Sequence, residues 1–376
     1  MTAAAGPNDK NRQRTNYGID SIMETNAPAE SGKPYITDFS RDQLGSWLET
    51  HHIAAYRGKQ ILKWIYQRQV DRFDQMTDLS LTLRNMLNAY FTIRRLRCID
   101  ARHSQDGAGK LLLRLPDGPC IESVLMPGPR RNSACISSQV GCAQGCRFCA
   151  TAGYGFRRQL KAAEIAAQVI EAARLLPPAQ RITHIVLMGM GEPLANYDQL
   201  MQALTILTNR EWGMGFSPSK ITVSTAGIPA RIQQFGQART GVKLAISLNA
   251  ANDAVRSRLM PINRQFPIAD LLAACHAIPL AKRDKITFEY ILIRDINDRA
   301  EDARQLAQLL RPMPAKINLI PFNAHESCEF QTPDTEQVNT FFDIINRSGL
   351  TVTIRASRGR DIAAACGQLA AKNGDD

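Results

Sequence analysis

The chain has 376 residues, 44% of them hydrophobic and 22% charged, which excludes a mostly disordered protein and leaves room for about two domains. No run approaches the ~20 apolar residues of a membrane span, and the polar stretch from Met1 to Gly32 lacks the apolar core of a secretory signal, so a cytoplasmic protein away from membranes is expected. Lysine and arginine number 46 against 35 acidic residues, a formal charge of +11; such an excess points to a polyanion, usually nucleic acid, or more blandly to a solubilising surface.

Residues 1–33 read as a disordered tail, and from Pro34 the pattern turns helical. Ser40 with Gln43 three residues on is a capping box, followed by Leu44, Trp47 and Leu48 at helical spacing. A second helix holds Ile61, Leu62, Trp64 and Ile65; a third opens at Ser80 and carries Leu83, Met86, Leu87 and Tyr90. These make a small helical domain over 34–98. After the basic stretch Arg94 to Arg102, residues 99–130 read as a linker and a β-hairpin, 111–115 and 120–126 around Pro116-Asp117-Gly118.

Beyond Pro127, Gly128 and Pro129, strands alternate with helices. The strands expected are 134–140, 182–188, 221–224, 242–248, 286–292, 317–320 and 350–354, and the amphipathic stretches 162–175, 197–207, 268–277, 300–310 and 335–347. This alternation predicts parallel βαβ units in a core over 131–366, as a barrel or an open doubly wound sheet. Residues 367–376 are left as a C-terminal tail.

The strongest chemical signal is Gly141-Cys142-Ala143-Gln144-Gly145-Cys146-Arg147-Phe148-Cys149, three cysteines as C-x₃-C-x₂-C between a strand and a helix. Closely spaced thiolates on one loop can wrap an iron–sulfur cube. A structural zinc site would want four ligands in paired knuckles, and no second C-x₂-C exists. Three ligands on a four-iron cube leave one iron open to a small molecule. The nine cysteines, an odd number, otherwise read as reduced thiols.

With its aromatic before the last cysteine, this loop resembles the radical S-adenosylmethionine (SAM) signature. Adding Cys135-Ile136-Ser137-Ser138-Gln139-Val140-Gly141-Cys142, Met188-Gly189-Met190-Gly191-Glu192-Pro193 and Ala364-Ala365-Cys366-Gly367-Gln368-Leu369, the chain resembles the RlmN/Cfr group of RNA adenine methyltransferases from about Tyr35 to Ala370. The resemblance implies an α/β fold: a partial TIM-like (β/α)6 radical SAM barrel, a helical N-terminal domain that docks RNA, and a β-hairpin extension. It implies a 4Fe–4S cluster on Cys142, Cys146 and Cys149, and two SAM molecules per turnover.

Gly191 and Glu192 would bind the SAM amino group, with Ser224, Ser247, Leu248, Asn249 and Asn323 as further contacts. By themselves these are ordinary strand-end residues at positions where βα-barrel sites are built. Family members often carry His where Asn249 stands. The family's methyl-carrying cysteine matches Cys366, which follows the basic, flexible Arg358-Gly359-Arg360, and its resolving cysteine matches Cys135, at the start of the strand leading to the cluster loop. The two end as a disulfide in that family. Glu122 matches its proton acceptor near the adenine, though alone it reads as a solvated strand carboxylate. Cys98, Cys120, Cys275 and Cys328 read as structural, and the histidines show no ligand spacing.

The implied reaction is methylation of carbon 2 of an adenine in 23S rRNA and, by analogy, in tRNA, by a monomer fed by an electron donor such as flavodoxin or ferredoxin. A Cfr-type enzyme acting on carbon 8, and a non-enzymatic RNA-binding protein with a structural metal loop, stay open. Arg57, Lys59, Lys63, Arg94, Arg95, Arg97, Arg130, Arg131, Arg157 and Arg158 are the candidate phosphate contacts, with Trp64, Tyr66, Tyr154 and Phe156 for stacking.

Overall fold

A computed structural model describes residues 32–325 and 328–371. The expected tails lie outside them up to residue 31 and from residue 372. Three helices, α1 (Arg41–Thr50), α2 (Arg57–Tyr66) and α3 (Leu81–Tyr90), build the N-terminal bundle. Its capping box forms: Ser40 Oγ accepts from the Gln43 N–H at 3.2 Å, and Gln43 Oε1 accepts from the Ser40 N–H at 2.8 Å. Leu44, Leu48, Ile61, Leu87, Phe73 and Met76 are buried at its centre, each worth about 1.5–3 kcal/mol of apolar burial.

Ion pairs fasten this bundle to the rest of the chain. Buried Arg94 reaches both Asp38 oxygens at 2.7 Å and Glu164 at 3.1 Å. Arg95 pairs with buried Glu171 at 3.1 Å, and Arg158 with Glu164 at 2.8 Å and Asp117 at 2.5 Å. These three arginines were expected to face phosphates; the fold spends them on its own carboxylates. Arg94→Met, which leaves Glu164 short of a partner, is expected to cost about 3 kcal/mol, read by denaturant titration; no change would mean that Arg158 and Lys161 suffice.

The first strands are β1 (Arg97–His103), β2 (Gly109–Arg114), β3 (Cys120–Met126), β4 (Ser133–Cys135), β5 (Gln139–Gly141) and β6 (Phe156–Gln159). Then come β7 (His184–Leu187), β8 (Ile221–Thr225), β9 (Lys243–Ser247), β10 (Ile286–Leu292), β11 (Ala315–Pro321) and β12 (Thr351–Ile354). Between and around them lie α4 (Ala150–Tyr154), α5 (Ala162–Ala173), α6 (Tyr197–Thr208), α7 (Pro229–Gln237), α8 (Asp253–Leu259), α9 (Ile268–His276), α10 (Ala300–Leu310) and α11 (Thr335–Arg347).

Ten strands form one sheet in the order β1-β2-β3-β4-β7-β8-β9-β10-β11-β12, antiparallel up to β4 and parallel from there. A doubly wound sheet reverses its strand order at a switch point. This order never reverses, which is barrel topology, and β1 and β12 remain as edges, so the barrel is partial. The basic stretch after Arg94 becomes β1, turning the expected hairpin into a three-stranded extension.

The strand expected over 134–140 is two strands. β4 ends on Cys135, and β5 pairs with β6 in a separate two-stranded sheet beside the cluster loop. The break has a polar cause. Buried Ser137 donates from Oγ to the Glu122 carbonyl at 2.7 Å and accepts from the Met190 N–H at 2.8 Å, while its own N–H goes to Gln168 at 2.7 Å. Cys135 therefore closes a barrel strand rather than opening one.

Candidate active site

The C-x₃-C-x₂-C loop runs from β5 to α4 and is shaped by glycines. Gly141 has φ +75°, and a Cβ there would fall 1.5 Å from the Gly155 carbonyl oxygen. Gly145 turns the loop with φ +67°. Burial pushes the Cys142 thiol up to about 12, with the Gln144 N–H opposing and Cys149 adding. Burial also raises Cys146 well above the ordinary range, with Cys149 and Cys142 adding and Arg256 opposing. The Cys142 and Cys146 thiols thus feel their neighbours, although no group of three among the described residues stands in metal-holding geometry. Desolvated, neighbouring soft donors on a glycine-turned loop fit an iron–sulfur cluster, which releases thiol protons on binding.

Beside this loop, β7 leads into Gly189, Gly191 and Glu192. Gly191 has φ +99°, and a Cβ would meet Gln139 at 2.5 Å, so only glycine fits. Glu192 is buried, and its oxygens accept from the Leu194 N–H at 2.9 Å and the Ala226 N–H at 2.6 Å. Burial raises its pKa, opposed by those bonds. The carboxylate, which also accepts from the Thr225 hydroxyl, therefore joins the end of β7 to the end of β8. Ser224 and Ser247 stand 3.5 Å apart, Oγ to Oγ, on adjacent strands.

Leu248 is buried and its N–H is bonded to the Glu289 carbonyl at 3.0 Å. Asn249 is buried with φ +58°; its Oδ1 accepts from the Ile291 N–H at 2.9 Å and its Nδ2 points to Met260 Sδ at 3.3 Å. Its amide holds the β9 exit in place.

The C-terminal residues 363–371 form a strap across the barrel mouth. The Gly367 carbonyl accepts from the Ala150 N–H at 2.7 Å, and Thr151 Oγ1 donates to the Leu369 carbonyl at 2.6 Å, tying the strap to α4 just past Cys149. Asn323 Nδ2 donates to the Cys366 carbonyl at 3.3 Å, and its Oδ1 accepts from Arg360 at 2.8 Å. Arg358 bonds the Pro127 carbonyl at 2.6 Å, so the 358–360 segment, expected to be flexible, is pinned. Glu122 is not a solvated strand residue: it is 6% exposed, pairs with Lys110 at 2.9 Å and accepts from the Ala370 N–H at 2.8 Å.

Cys366 is solvent-accessible, yet protein envelops it closely enough that burial pushes its thiol up to about 11. Glu289 and Cys149 add to this and Arg355 opposes. Cys135 is buried, and its thiol is raised by burial and then by Cys366. Both are free thiols. The strap thus seats Cys366 beside α4, just past Cys149, and its charge is felt at Cys135. Because the Cys366 thiol is protonated at neutral pH, its alkylation is expected to speed up about tenfold per pH unit up to its pKa. Peptide mapping of iodoacetamide adducts checks this; a flat rate would mean a thiolate already formed.

Sequence reasoning missed Lys110, Gln139, Arg256 and Arg360. Gln139 Oε1 accepts from the Glu192 N–H at 2.7 Å. Gln139 and Arg360 lie in the 135–142 and 358–360 stretches, which gave them no role of their own, and the bonds of Lys110 and Arg256 link loops and strand ends that no spacing pattern joins.

A parallel partial barrel with a three-thiol loop beside its strand ends is the architecture of a radical SAM enzyme. Residues 136–309 match the radical SAM superfamily, and residues 35–93 match the ribosomal RNA large subunit methyltransferase N-terminal domain. A radical SAM methyltransferase structure from Sphaerobacter thermophilus superposes with a TM-score of 0.86 at 42% identity, covering 90% of this chain and 100% of that one. The dual-specificity RNA methyltransferase RlmN of Desulfosudis oleivorans is 48% identical over 94% of each chain, and that of Geobacter sulfurreducens is 46% identical over 90% of this chain and 92% of its own. The chain belongs to the RlmN family of radical SAM RNA methyltransferases, a membership that implies SAM and a 4Fe–4S cluster.

Proposed function

We propose that this enzyme methylates carbon 2 of an adenine in 23S rRNA and in tRNA, using Cys366 as methyl carrier. The observation that carries this reading is the strap, whose bonds from the Ala150 N–H to the Gly367 carbonyl and from Asn323 to the Cys366 carbonyl seat Cys366 beside the end of the C-x₃-C-x₂-C loop. When bound, the cluster supplies an electron, from a flavodoxin or ferredoxin, for cleavage of one SAM, and another SAM supplies the methyl group.

Cys142, Cys146 and Cys149 hold the cluster; Gly191, Glu192, Ser224, Ser247 and the backbone at Leu248 line the SAM wall. Asn249 and Asn323 act there through the loops they fix. Cys366 gives up its thiol proton on methylation; a hydrogen atom of that methyl would pass to the 5′-deoxyadenosyl radical supplied by cleavage of the other SAM, and the carbon radical left behind bonds carbon 2 of the adenine, leaving the unpaired electron on the base. Carbon 2 is electrophilic, so it cannot simply attack SAM. The adduct radical gives up one electron, which a bound cluster would accept, and Glu122 takes the carbon 2 proton; Glu122 borders a cavity of about 390 Å³ with Lys110, Ala150, His325 and Gln368, large enough for a flipped base. Cys135, as thiolate, bonds the Cys366 sulfur; the carbon–sulfur bond breaks, its electron pair goes to the methylene carbon, and a proton completes the methyl group.

RNA docking is assigned to the groove of about 1470 Å³ between the bundle and the hairpin, lined among others by Lys33, Arg72, Arg97, Arg114 and Lys161. Arg97→Gln is expected to lower the salt slope of RNA binding by about one; an unchanged slope removes that contact. Purified enzyme incubated with 23S rRNA fragments and tRNA, followed by nucleoside mass spectrometry, tests the reaction. 2-Methyladenosine supports the reading, 8-methyladenosine replaces it with the Cfr-type reaction, and neither leaves an RNA binder.

A further inference from the structure

Arg256, in α8, heads the fully buried side chains by volume. Its guanidinium donates only to neutral acceptors: Nε to the Leu248 carbonyl at 3.0 Å, Nη1 to Asn263 Oδ1 at 2.8 Å, and Nη2 to the carbonyls of Ala226 at 2.7 Å and Ser247 at 3.4 Å. Asp253, on the same helix, spends its Oδ1 on Asn263 Nδ2 and the Ile268 N–H, both at 2.9 Å. A cation taken wholly out of water without a counter-charge costs several kcal/mol even when its hydrogen bonds are satisfied. Something anionic belongs beside it.

The packing says where. α8 ends on the cluster loop: the Leu259 carbonyl accepts from the Arg147 N–H at 2.9 Å. Leu259 and Met260 pack with Phe148 in a buried cluster that Cys146 and Cys149 border. Pro261 lies 3.5 Å from where a Cβ on Gly145 would sit. Burial draws the guanidinium pKa down to about 10; the Cys146 sulfur is foremost among the groups that oppose this, followed by Asp253, which reaches the guanidinium only through Asn263, and Cys275. In a loaded loop, three thiolates outweigh the double positive charge of an oxidised cluster core by one, and reduction adds a further negative charge.

We infer that Arg256 is the buried counter-charge of the cluster: it balances the net negative charge of the loaded loop and raises the potential at which the electron is accepted. This rests on reading the loop as the cluster site. Net charge and nearby donors set such potentials, and the guanidinium also ties the SAM-wall carbonyls of Ala226, Ser247 and Leu248 to the helix that supports the loop.

The test is a spectroscopically monitored redox titration of reconstituted wild type, Arg256→Gln, Arg256→Lys and Asn263→Asp, with iron content and SAM affinity measured on each. At a fixed poise the ratio of reduced to oxidised cluster should fall about tenfold in Arg256→Gln, a displacement of 59 mV for a one-electron couple, and stay within about twofold in Arg256→Lys. Asn263→Asp keeps the arginine but puts a carboxylate against it, so it should fall in the same direction as Gln; it decides the matter if Arg256→Gln fails to fold or hold iron. Unmoved potentials in Gln and Asp, with stability or SAM affinity lost instead, overturn the inference and leave a cross-link of loops. Absence of iron from the wild type would overturn the cluster reading itself.

Discussion

Cys135→Ala, expressed in cells and run on a denaturing gel, is expected to show a heavy band that ribonuclease removes. In the proposed mechanism the buried Cys135 thiol, which the charge of Cys366 helps to raise, bonds the Cys366 sulfur after the base is attached. Without it, carbon–carbon bond formation proceeds and release does not. Cys366→Ala has no carrier, so no adduct forms, and the double variant should be equally clean. Iron content should match wild type in all three, since neither thiol belongs to the C-x₃-C-x₂-C loop. Two merely structural thiols would behave alike, each costing about 1–2 kcal/mol and neither trapping RNA. A nuclease-sensitive band in the double variant would sink the mechanism.

Loss of any one sulfur from the loop should be as severe. Cys142→Ala, Cys146→Ala and Cys149→Ala are each expected to bring bound iron to background and abolish methylation, well beyond the roughly 10–100-fold that loss of an outer partner costs a metal site. The fold should survive, because the loop is held by Gly155, Leu259 and the strap through backbone hydrogen bonds that no thiol makes. Iron and sulfide assays with circular dichroism separate the two effects. A variant retaining full iron and turnover would show that its sulfur is not a ligand.

Local signals in the sequence were read well where they arise from neighbouring residues. Ser40 with Gln43 specified a cap that forms, and predominantly apolar, β-branched and aromatic stretches such as Ile286–Leu292 became strands at the expected bounds. The cysteine spacing points to a cluster loop for the same reason, since one short segment carries all three proposed donors. Failures cluster where partners are distant. Arg94 and Arg158 looked like phosphate contacts, yet Asp38, Asp117 and Glu164 claim them through tertiary contact. Glu122 looked solvated because the Ala370 N–H and Lys110 that bury it cannot be found by periodicity. The helices α7 and α8 were missed because they are short, with few buried residues to set a rhythm.

The strap's anchors have a kinetic meaning. Its bonds join Ala370 to Glu122 and Leu369 to Thr151, contacts spanning 248 and 218 residues of chain. Closing loops of such length is entropically costly until both ends are already structured. Barrel and hairpin must therefore be in place before the strap can settle, which makes its docking a late event in folding. Pulse-labelled hydrogen exchange should find the Ala370 amide protected after those of β10 and β11; simultaneous protection would mean that strap and barrel form as one unit. A chain caught before that event holds a finished sheet and no seated Cys366, so the last part of the molecule to become ordered is the part proposed to carry the methyl group.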